Sequence, residues 1–217
     1  MASKMNLGGA LTREQFLLRE TQIVADFRLR GIADEDAEKQ IKDENLFQYP
    51  TEKMIANKVH VGLRRIGVLN TTLLQNGLTE EEASLLESRF LNLLTHGTHD
   101  QAVQLNMYLM IKNYIIVERF MMGEIGDRLS NFDYSFSAMD MGSFVTRFQM
   151  EFSQAATWSD STVTRLKSSL KQILYCAGFM IQNSEALQGI LVDFEVEELL
   201  RDMGEAKYLH AFDGREE

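Results

Sequence analysis

Apolar residues recur along most of this chain at intervals of three or four positions, which is the period of an amphipathic helix. The alternation of apolar and polar residues that is typical of strands is almost absent. One proline in 217 residues, together with frequent Leu, Met, Glu, Gln and Lys, also favours helix. The pattern predicts an all-α protein, folded as a compact bundle of many helices.

Four helices are predicted in the first half of the chain, each with start and stop signals. Thr12, Thr51 and Thr79 are the expected N-caps of the first, third and fourth helices, because a threonine side chain can accept from the free N–H groups of a first turn. Glu82 follows Thr79 at the spacing of a capping box. The predicted limits are residues 12–31, 34–45, 51–75 and 79–97.

A long fifth helix is predicted from Thr98 or Asp100 to Met122, and it is expected at the centre of the bundle because it is apolar on most sides. Residues 127–142 mix polar and aromatic side chains without a clear period, so they are predicted to form a loop with at most one short helical turn.

Two further helices and one apolar segment follow the loop. Phe144, Phe148 and Phe152 lie four residues apart, and core packing is favoured over a ligand-binding aromatic box. A seventh helix, capped by Ser159 or Ser161, runs to Gly178. Residues 190–200 form one more apolar segment, whose first part is short enough to be a strand. The predicted domains are a helical region at 1–76 and a bundle at 77–217, which could also form one continuous domain.

Charge does not by itself indicate a nucleic-acid partner. The chain has 22 basic and 32 acidic residues, a net charge of −10, and most of the excess lies after residue 184. The third helix is the exception, with four cations against Glu52. Those cations either bind phosphates or pair with the acidic second helix, and charge alone favours pairing.

Two segments match the outline of a helix-turn-helix, in which the second helix enters a DNA groove. The first lies between Gly31 and Gly67, and the second between Trp158 and Gly178. Any pair of amphipathic helices joined by a short turn fits this outline, so the signal is weak. The candidate nucleic-acid-binding residues are Lys53, Asn57, Lys58, Arg64 and Arg65 in the third helix and Arg165, Lys167 and Lys171 in the seventh.

No constellation typical of an enzyme, cofactor site or metal site is found. Phosphate-binding loops, nucleophile elbows and metal-ligand spacings are absent, and His96 with His99 lacks further ligands. Cys176 lies in an apolar run, which favours a buried thiol, and a single cysteine fits a reducing compartment. Charged residues interrupt the most apolar stretch, 107–122, so no membrane span is predicted. We therefore expect a cytoplasmic protein without catalytic residues, cofactors, metal, small-molecule substrate or membrane.

The order of these segments resembles the BrxA family, small helical components of the bacteriophage exclusion (BREX) defence islands. The resemblance extends over most of the chain, from about Leu7 to Phe212, and it rests on several weak motifs. These are Leu11 to Arg30 with Phe16-Leu17-Leu18-Arg19-Glu20-Thr21, Asp43-Glu44-Asn45-Leu46-Phe47, Arg64-Arg65-Ile66, Met107 to Met122, and Trp158-Ser159-Asp160-Ser161-Thr162 leading to Ala177-Gly178.

This resemblance implies an accessory protein of an anti-phage system that also contains an adenine methyltransferase, a large ATPase and a phosphatase-like protein. It implies no catalytic role, and it implies a NusB-like fold, NusB being a helical RNA-binding protein. No site residue is carried over from the family. The leading hypothesis is a non-enzymatic defence protein that binds DNA or RNA through its basic helices. The alternative is an adaptor that holds other BREX proteins, with the acidic segment Asp193 to Glu205 as its candidate surface unless those apolar residues close the core.

Overall fold

The structure is a computed structural model that describes residues 6–182 and 184–215. Within these ranges the regular structure is helical, and strand-like pairing is confined to two isolated antiparallel bridges, Ser135 with Ala186 and Met180 with Leu187. The prediction of an all-α protein is confirmed. None of the helices in these ranges combines the length and the apolar character needed to span a bilayer.

Thirteen α-helical segments and two other helical turns are formed by the described residues. In chain order they are α1 (Leu11–Glu14), α2 (Leu18–Leu29), α3 (Asp34–Asp43), α4 (Glu52–Gln75), α5 (Glu80–His96), α6 (His99–Asn113), α7 (Ile115–Phe120), a π-helical segment (Met121–Gly126), α8 (Asp127–Ser130), α9 (Ala138–Glu151), α10 (Ser153–Ala156), α11 (Asp160–Cys176), α12 (Phe194–Asp202), a 3₁₀ turn (Ala206–Leu209) and α13 (His210–Asp213).

The chain forms two compact units, each built from separate segments. One comprises residues 17–109 and 193–206, and we call it the α4 unit. The other comprises, within the described ranges, residues 6–16, 110–192 and 207–215, and we call it the α11 unit. The expected boundary between residues 76 and 77 does not coincide with this division, because α4 and α5 lie on either side of that point and pack within the same unit.

The α4 unit is organised around the packing of α2 and α5 against α4, with α3 beside α4 and α12 beside α5. Gly62 permits the close approach of α2 and α4, since a Cβ there would lie 2.9 Å from a methyl carbon of Val24. The caps predicted for the third and fourth helices are present, because the Thr51 side chain accepts from the N–H of Met54 and Thr79 forms a capping box with Glu82. The predicted cap Thr12 is wrong, since this residue lies within α1, whose N-cap is Ala10.

The α11 unit is built from α9, α10 and α11, from the segment that runs from α7 through the π-helical turns to α8, and from α1 and α13. α1 packs against α11, and α13 packs against the π-helical turns. Gly126 permits the second contact, since a Cβ there would lie 2.7 Å from the carbonyl oxygen of His210. Ser159 caps α11 by accepting from the N–H of Thr162, which settles the predicted choice between Ser159 and Ser161.

The first predicted helix is wrong in its start. Instead of one helix from Thr12, the chain forms the single turn α1 and then α2, which begins after Leu17. Gln15 and Leu17 have φ values of 45° and 50°, a left-handed conformation that no helix can contain. Neither residue is a glycine, so the sequence carries no signal for the break.

The fifth predicted helix is buried on most sides as expected, but it is not continuous. Tyr114 has extended dihedral angles and separates α6 from α7, and the N–H of Ile115 bonds to the carbonyl of Asn6 instead. Beyond Phe120 the chain continues as π-helical turns and α8. The predicted loop at 127–142 is therefore wrong at both ends, because only residues 131–137 lie outside helices. The suggested strand at residues 190–192 does not form, and α12 follows directly.

Candidate nucleic-acid interface

An exposed polar stripe runs along the first half of α4. Lys53, Asn57, His60 and Arg64 follow one another at spacings of four, three and four residues, which places them on one side of a helix. All four side chains are exposed. We call this set the α4 face. His60 on this face lies beside the acidic helix α3, with its Nδ1 3.8 Å from Oε2 of Glu38.

Two of the predicted contact residues of α4 do not belong to this face. Lys58 is half-buried, and Arg65 is fully buried, with 0% of its surface exposed. Arg65 lies four residues after Val61 and four before Leu69, both of which are buried, so it belongs to the inner side of the helix. Its assignment to a phosphate-binding surface is wrong. A buried guanidinium stabilises the interior only through its partners there, and it cannot reach a ligand in solvent.

The acidic helix α3 packs against α4, as the pairing alternative requires. Pairing is nevertheless incomplete. Glu38 lies within 3.8 Å of both Lys42, on its own helix, and His60 on α4. Lys53, at the start of α4, has no ion pair with any carboxylate in the described part of the chain. The α4 face thus keeps a positive end beside an acidic neighbour.

A second basic surface lies on α11, where Lys167 and Lys171 are four residues apart and share one side of the helix, while Arg165 lies on another side. Arg165 and Lys171 are exposed, and Lys167 is half-buried. Asp160, in the first turn, is the one acidic residue among the 17 residues of this helix. We call Arg165, Lys167 and Lys171 the α11 face.

The α11 face borders a cleft that opens beside the start of α9. The cleft has a volume of about 170 Å³. The ring of Phe136 and the side chain of Met141, both buried, form part of its lining. Both Lys167 and Lys171 line it, and neither forms an ion pair with a carboxylate of the described residues. The full lining is Phe136, Ser137, Ala138, Met141, Lys167, Ser168 and Lys171. We call it the α11 cleft.

Sequence patterns did not reveal this cleft, because half of its wall comes from a stretch predicted as loop. The wall is fixed by Arg128, which lies 3.1 Å from Glu124, 2.6 Å from Asp133 and 2.9 Å from Asp140. Its guanidinium carbon also lies 5.5 Å from the centre of the Phe136 ring. Arg128 therefore holds the residues on both sides of Phe136.

In this network two guanidinium groups, those of Arg128 and Arg147, face the three carboxylates of Glu124, Asp133 and Asp140. Burial lowers the pKa of Arg128, but the hydrogen bond to Glu124 and the nearby carboxylates of Asp140 and Asp133 outweigh it and raise the pKa above its ordinary value. Hydrogen bonds from Ser137 hold the pKa of Asp140 below its usual range. Arg128 and Asp140 are therefore both ionised at neutral pH, and the carboxylate of Asp140 is paired with Arg128 rather than directed at the lysines.

The second helix-turn-helix candidate has a packed turn. Trp158 precedes α11 and stacks on Phe148 at 6.0 Å between ring centres, with 23° between the planes. Phe144 and Phe148 are buried, which confirms that the aromatic stripe is core packing. Phe152 is half-buried and ends α9 rather than continuing the stripe within the helix. The α10 helix before this turn has only four residues.

The proposed adaptor surface on the C-terminal segment is largely internal. Val196, Leu199 and Leu200 are all 0% exposed and close the core of the α4 unit, as the core interpretation predicts. Phe194 alone among the four apolar residues remains at the surface, with 77% exposed. Glu205 is also buried, and it accepts hydrogen bonds from Tyr108 at 2.9 Å and from Asn76 at 2.8 Å.

Cys176 is exposed, and the histidines of the described residues belong to no metal-binding group. The prediction that Cys176 is buried is wrong, because its thiol is exposed on the same side of α11 as Arg165 and Gln172. Nowhere in residues 6–182 and 184–215 do three or more His, Cys, Asp or Glu side chains converge as a metal site.

Comparison with known proteins identifies the fold in solved structures and one matching family. No curated protein matches the chain. A crystal structure of an uncharacterized protein from Magnetospirillum magneticum shares the fold, with a TM-score of 0.75 at 16% identity over 95% of this chain and 98% of that chain. The model of the BrxA family matches residues 8–204. This chain belongs to the BrxA family, and that membership implies a role associated with BREX defence.

Proposed function

We propose that this chain is a non-enzymatic, cytoplasmic component of a BREX system that binds nucleic acid through the α4 face and the α11 face. The observation that carries the proposal is the α11 face. α11 carries three cations and a single acidic residue, although the whole protein has a net charge of −10. Two of the three cations, Lys167 and Lys171, make no ion pair with a described carboxylate.

The mechanism is phosphate neutralisation. A lysine or arginine that contacts a phosphate releases condensed counterions, so affinity depends steeply on salt. Few cations are exposed on each face, so each face alone is expected to bind weakly and without sequence preference. Lys53 and Asn57 at the start of α4 occupy the end of a helix that can contact base edges in a helix-turn-helix arrangement.

The test is a titration of the full chain with fluorescent duplex DNA, single-stranded DNA and structured RNA at about 50 and 200 mM salt, the range over which phosphate-driven binding weakens steeply. One double variant, Lys53→Glu with Arg64→Glu, reverses the α4 face. A second, Arg165→Glu with Lys171→Glu, reverses the α11 face. Arg65 is not used, because a carboxylate in its buried position would disturb the fold.

A matched control makes the same change of charge elsewhere, at the exposed residues Lys39 and Lys207. Salt-sensitive binding that either face variant weakens more than this control supports the proposal. Absence of binding to all three polymers at low salt contradicts it and favours the adaptor function, for which the exposed Phe194 is then the residue to substitute.

A further inference from the structure

We propose that the α11 cleft holds one unpaired nucleotide, so that the α11 unit binds single-stranded nucleic acid in preference to a duplex. This inference rests on the proposed function and assigns the polymer class and the contact point at the α11 face. The base would lie against Phe136 and Met141, and the adjoining phosphate would lie between Lys167 and Lys171.

The size of the cleft favours a single base. Its volume of about 170 Å³ is below the roughly 300 to 1,000 Å³ of pockets that bury drug-sized ligands, so a dinucleotide cofactor would not fit inside it. A planar base with its sugar and phosphate extending outward matches a small cleft with an open mouth. A base in a duplex is stacked and paired, and it must leave the helix to enter such a site.

The chemistry of the lining divides the ligand into an apolar part and an anionic part. Phe136 and Met141 give an aromatic and a polarisable surface, which stack on any base without reading its edges. The Ser137 hydroxyl already donates to Asp140, and the Ser168 hydroxyl donates to the carbonyl of Thr164. The ligand's negative charge is therefore left to the two lysines, which make no ion pair with the described carboxylates.

Exposed aromatic and apolar side chains lie close in sequence to the residues that line the cleft. Tyr134 is 48% exposed and lies two residues before Phe136, where extended backbone separates the two positions by about 7 Å. Phe132 and Met139, on either side of this segment, are 78% and 79% exposed. Aromatic side chains beside cations are how proteins bind single strands without sequence preference, since successive bases stack while the backbone follows the charge.

The experiment fills the cleft without altering its charge. Ala138 lines the cleft and is exposed at the first position of α9, so Ala138→Trp places a ring in the space intended for the base. Ala156→Trp, at an exposed alanine at the end of α10, is the matched control. Binding of the full chain is measured with single-stranded DNA that carries one 2-aminopurine, whose fluorescence reports stacking, and with a duplex of the same length.

The wild type and the Ala156→Trp control are expected to bind the single strand more tightly than the duplex and to change the 2-aminopurine signal. Ala138→Trp is expected to weaken single-strand binding on the order of tenfold to a hundredfold, the value of one stacked base, and to leave duplex binding unchanged. Equal single-strand affinity in Ala138→Trp and the control overturns the cleft assignment while the proposed function stands. Absence of binding to any polymer overturns both.

Discussion

The salt dependence of binding offers a quantitative test of the α11 face. Each phosphate neutralised on a single strand contributes about −0.7 to the slope of log affinity against log salt, and each on a duplex about −0.9. Arg165 and Lys171 are the two exposed cations of this face. Replacing both with glutamine should therefore make the slope less steep by about 1.4 on a single strand, whatever the rest of the protein contributes.

This difference is measurable over an ordinary range of salt. Between about 50 and 200 mM, the wild type should lose roughly sevenfold more affinity for a single strand than the glutamine variant loses. The assay is fluorescence anisotropy at four or more salt concentrations. The control variant, Lys39→Gln with Lys207→Gln, should keep the slope of the wild type. An unchanged slope in the α11 variant would show that these two cations meet no phosphate, and it would refute the reasoning.

The remaining predictions concern packing and titration. Leu199→Ala should destabilise the protein by about 2 to 5 kcal/mol in urea unfolding, because its fully buried side chain closes the α4 unit, and a loss within error of zero would contradict this core assignment. Gly126→Ala should cost about 1 to 3 kcal/mol in the same assay, because its Cβ would meet a backbone oxygen at 2.7 Å, and unchanged stability would mean that α13 moves away freely. Burial and the hydrogen bond to Glu20 raise the pKa of Tyr49 to about 12, so its contribution to stability is present below pH 10.0 and is lost as the pH rises towards about 12. Tyr49→Phe should remove one phenol that ionises near pH 12 from an ultraviolet titration of the folded protein, and an unchanged amplitude near pH 12 would contradict the assignment. Cys176 should react with a thiol reagent at native pH at the rate of an exposed thiol, and protection until unfolding would contradict its exposure.

The parts of the fold that the sequence predicted are those with local signals. α4, α5 and α11 begin where Thr51, Thr79 and Ser159 stand, because a capping side chain acts on the backbone three residues away and its effect needs no distant partner. The all-helical class likewise follows from a period that each segment carries by itself.

The parts that the sequence missed depend on distant contacts. Leu17 adopts a left-handed conformation that its own type disfavours, so the break before α2 is imposed by the surrounding packing. Tyr114 interrupts a long helical pattern because the N–H of Ile115 finds an acceptor at Asn6, more than a hundred positions away. Cys176 was expected inside because its neighbours in sequence are apolar, but neighbours in sequence point to different sides of a helix.

The candidate site was predicted in composition but not in shape. Arg64 and Arg65 look equivalent in sequence, yet a rotation of 100° per residue separates them into solvent and core. Counting four residues back to Val61 and four on to Leu69 would have placed Arg65 inside. The α11 cleft could not be predicted at all, because Phe136 and Lys167 are brought together only by the fold of α9 on α11.

The interleaving of the two units has a consequence for how the protein is made. A ribosome that has delivered residues 17–109 has supplied most of the α4 unit, but α12 follows only after residue 192. A ribosome adds about 5 to 20 residues per second, so on the order of ten seconds pass before α12 is made. During this time the surface of α5 that α12 covers stays exposed. The α11 unit waits longer, for residues beyond 206. Neither unit can complete its folding until its last segment, residues 193–206 for the α4 unit and residues 207–215 for the α11 unit, has been made. Chaperone protection during translation should therefore affect the yield of this protein more than that of two domains encoded in succession.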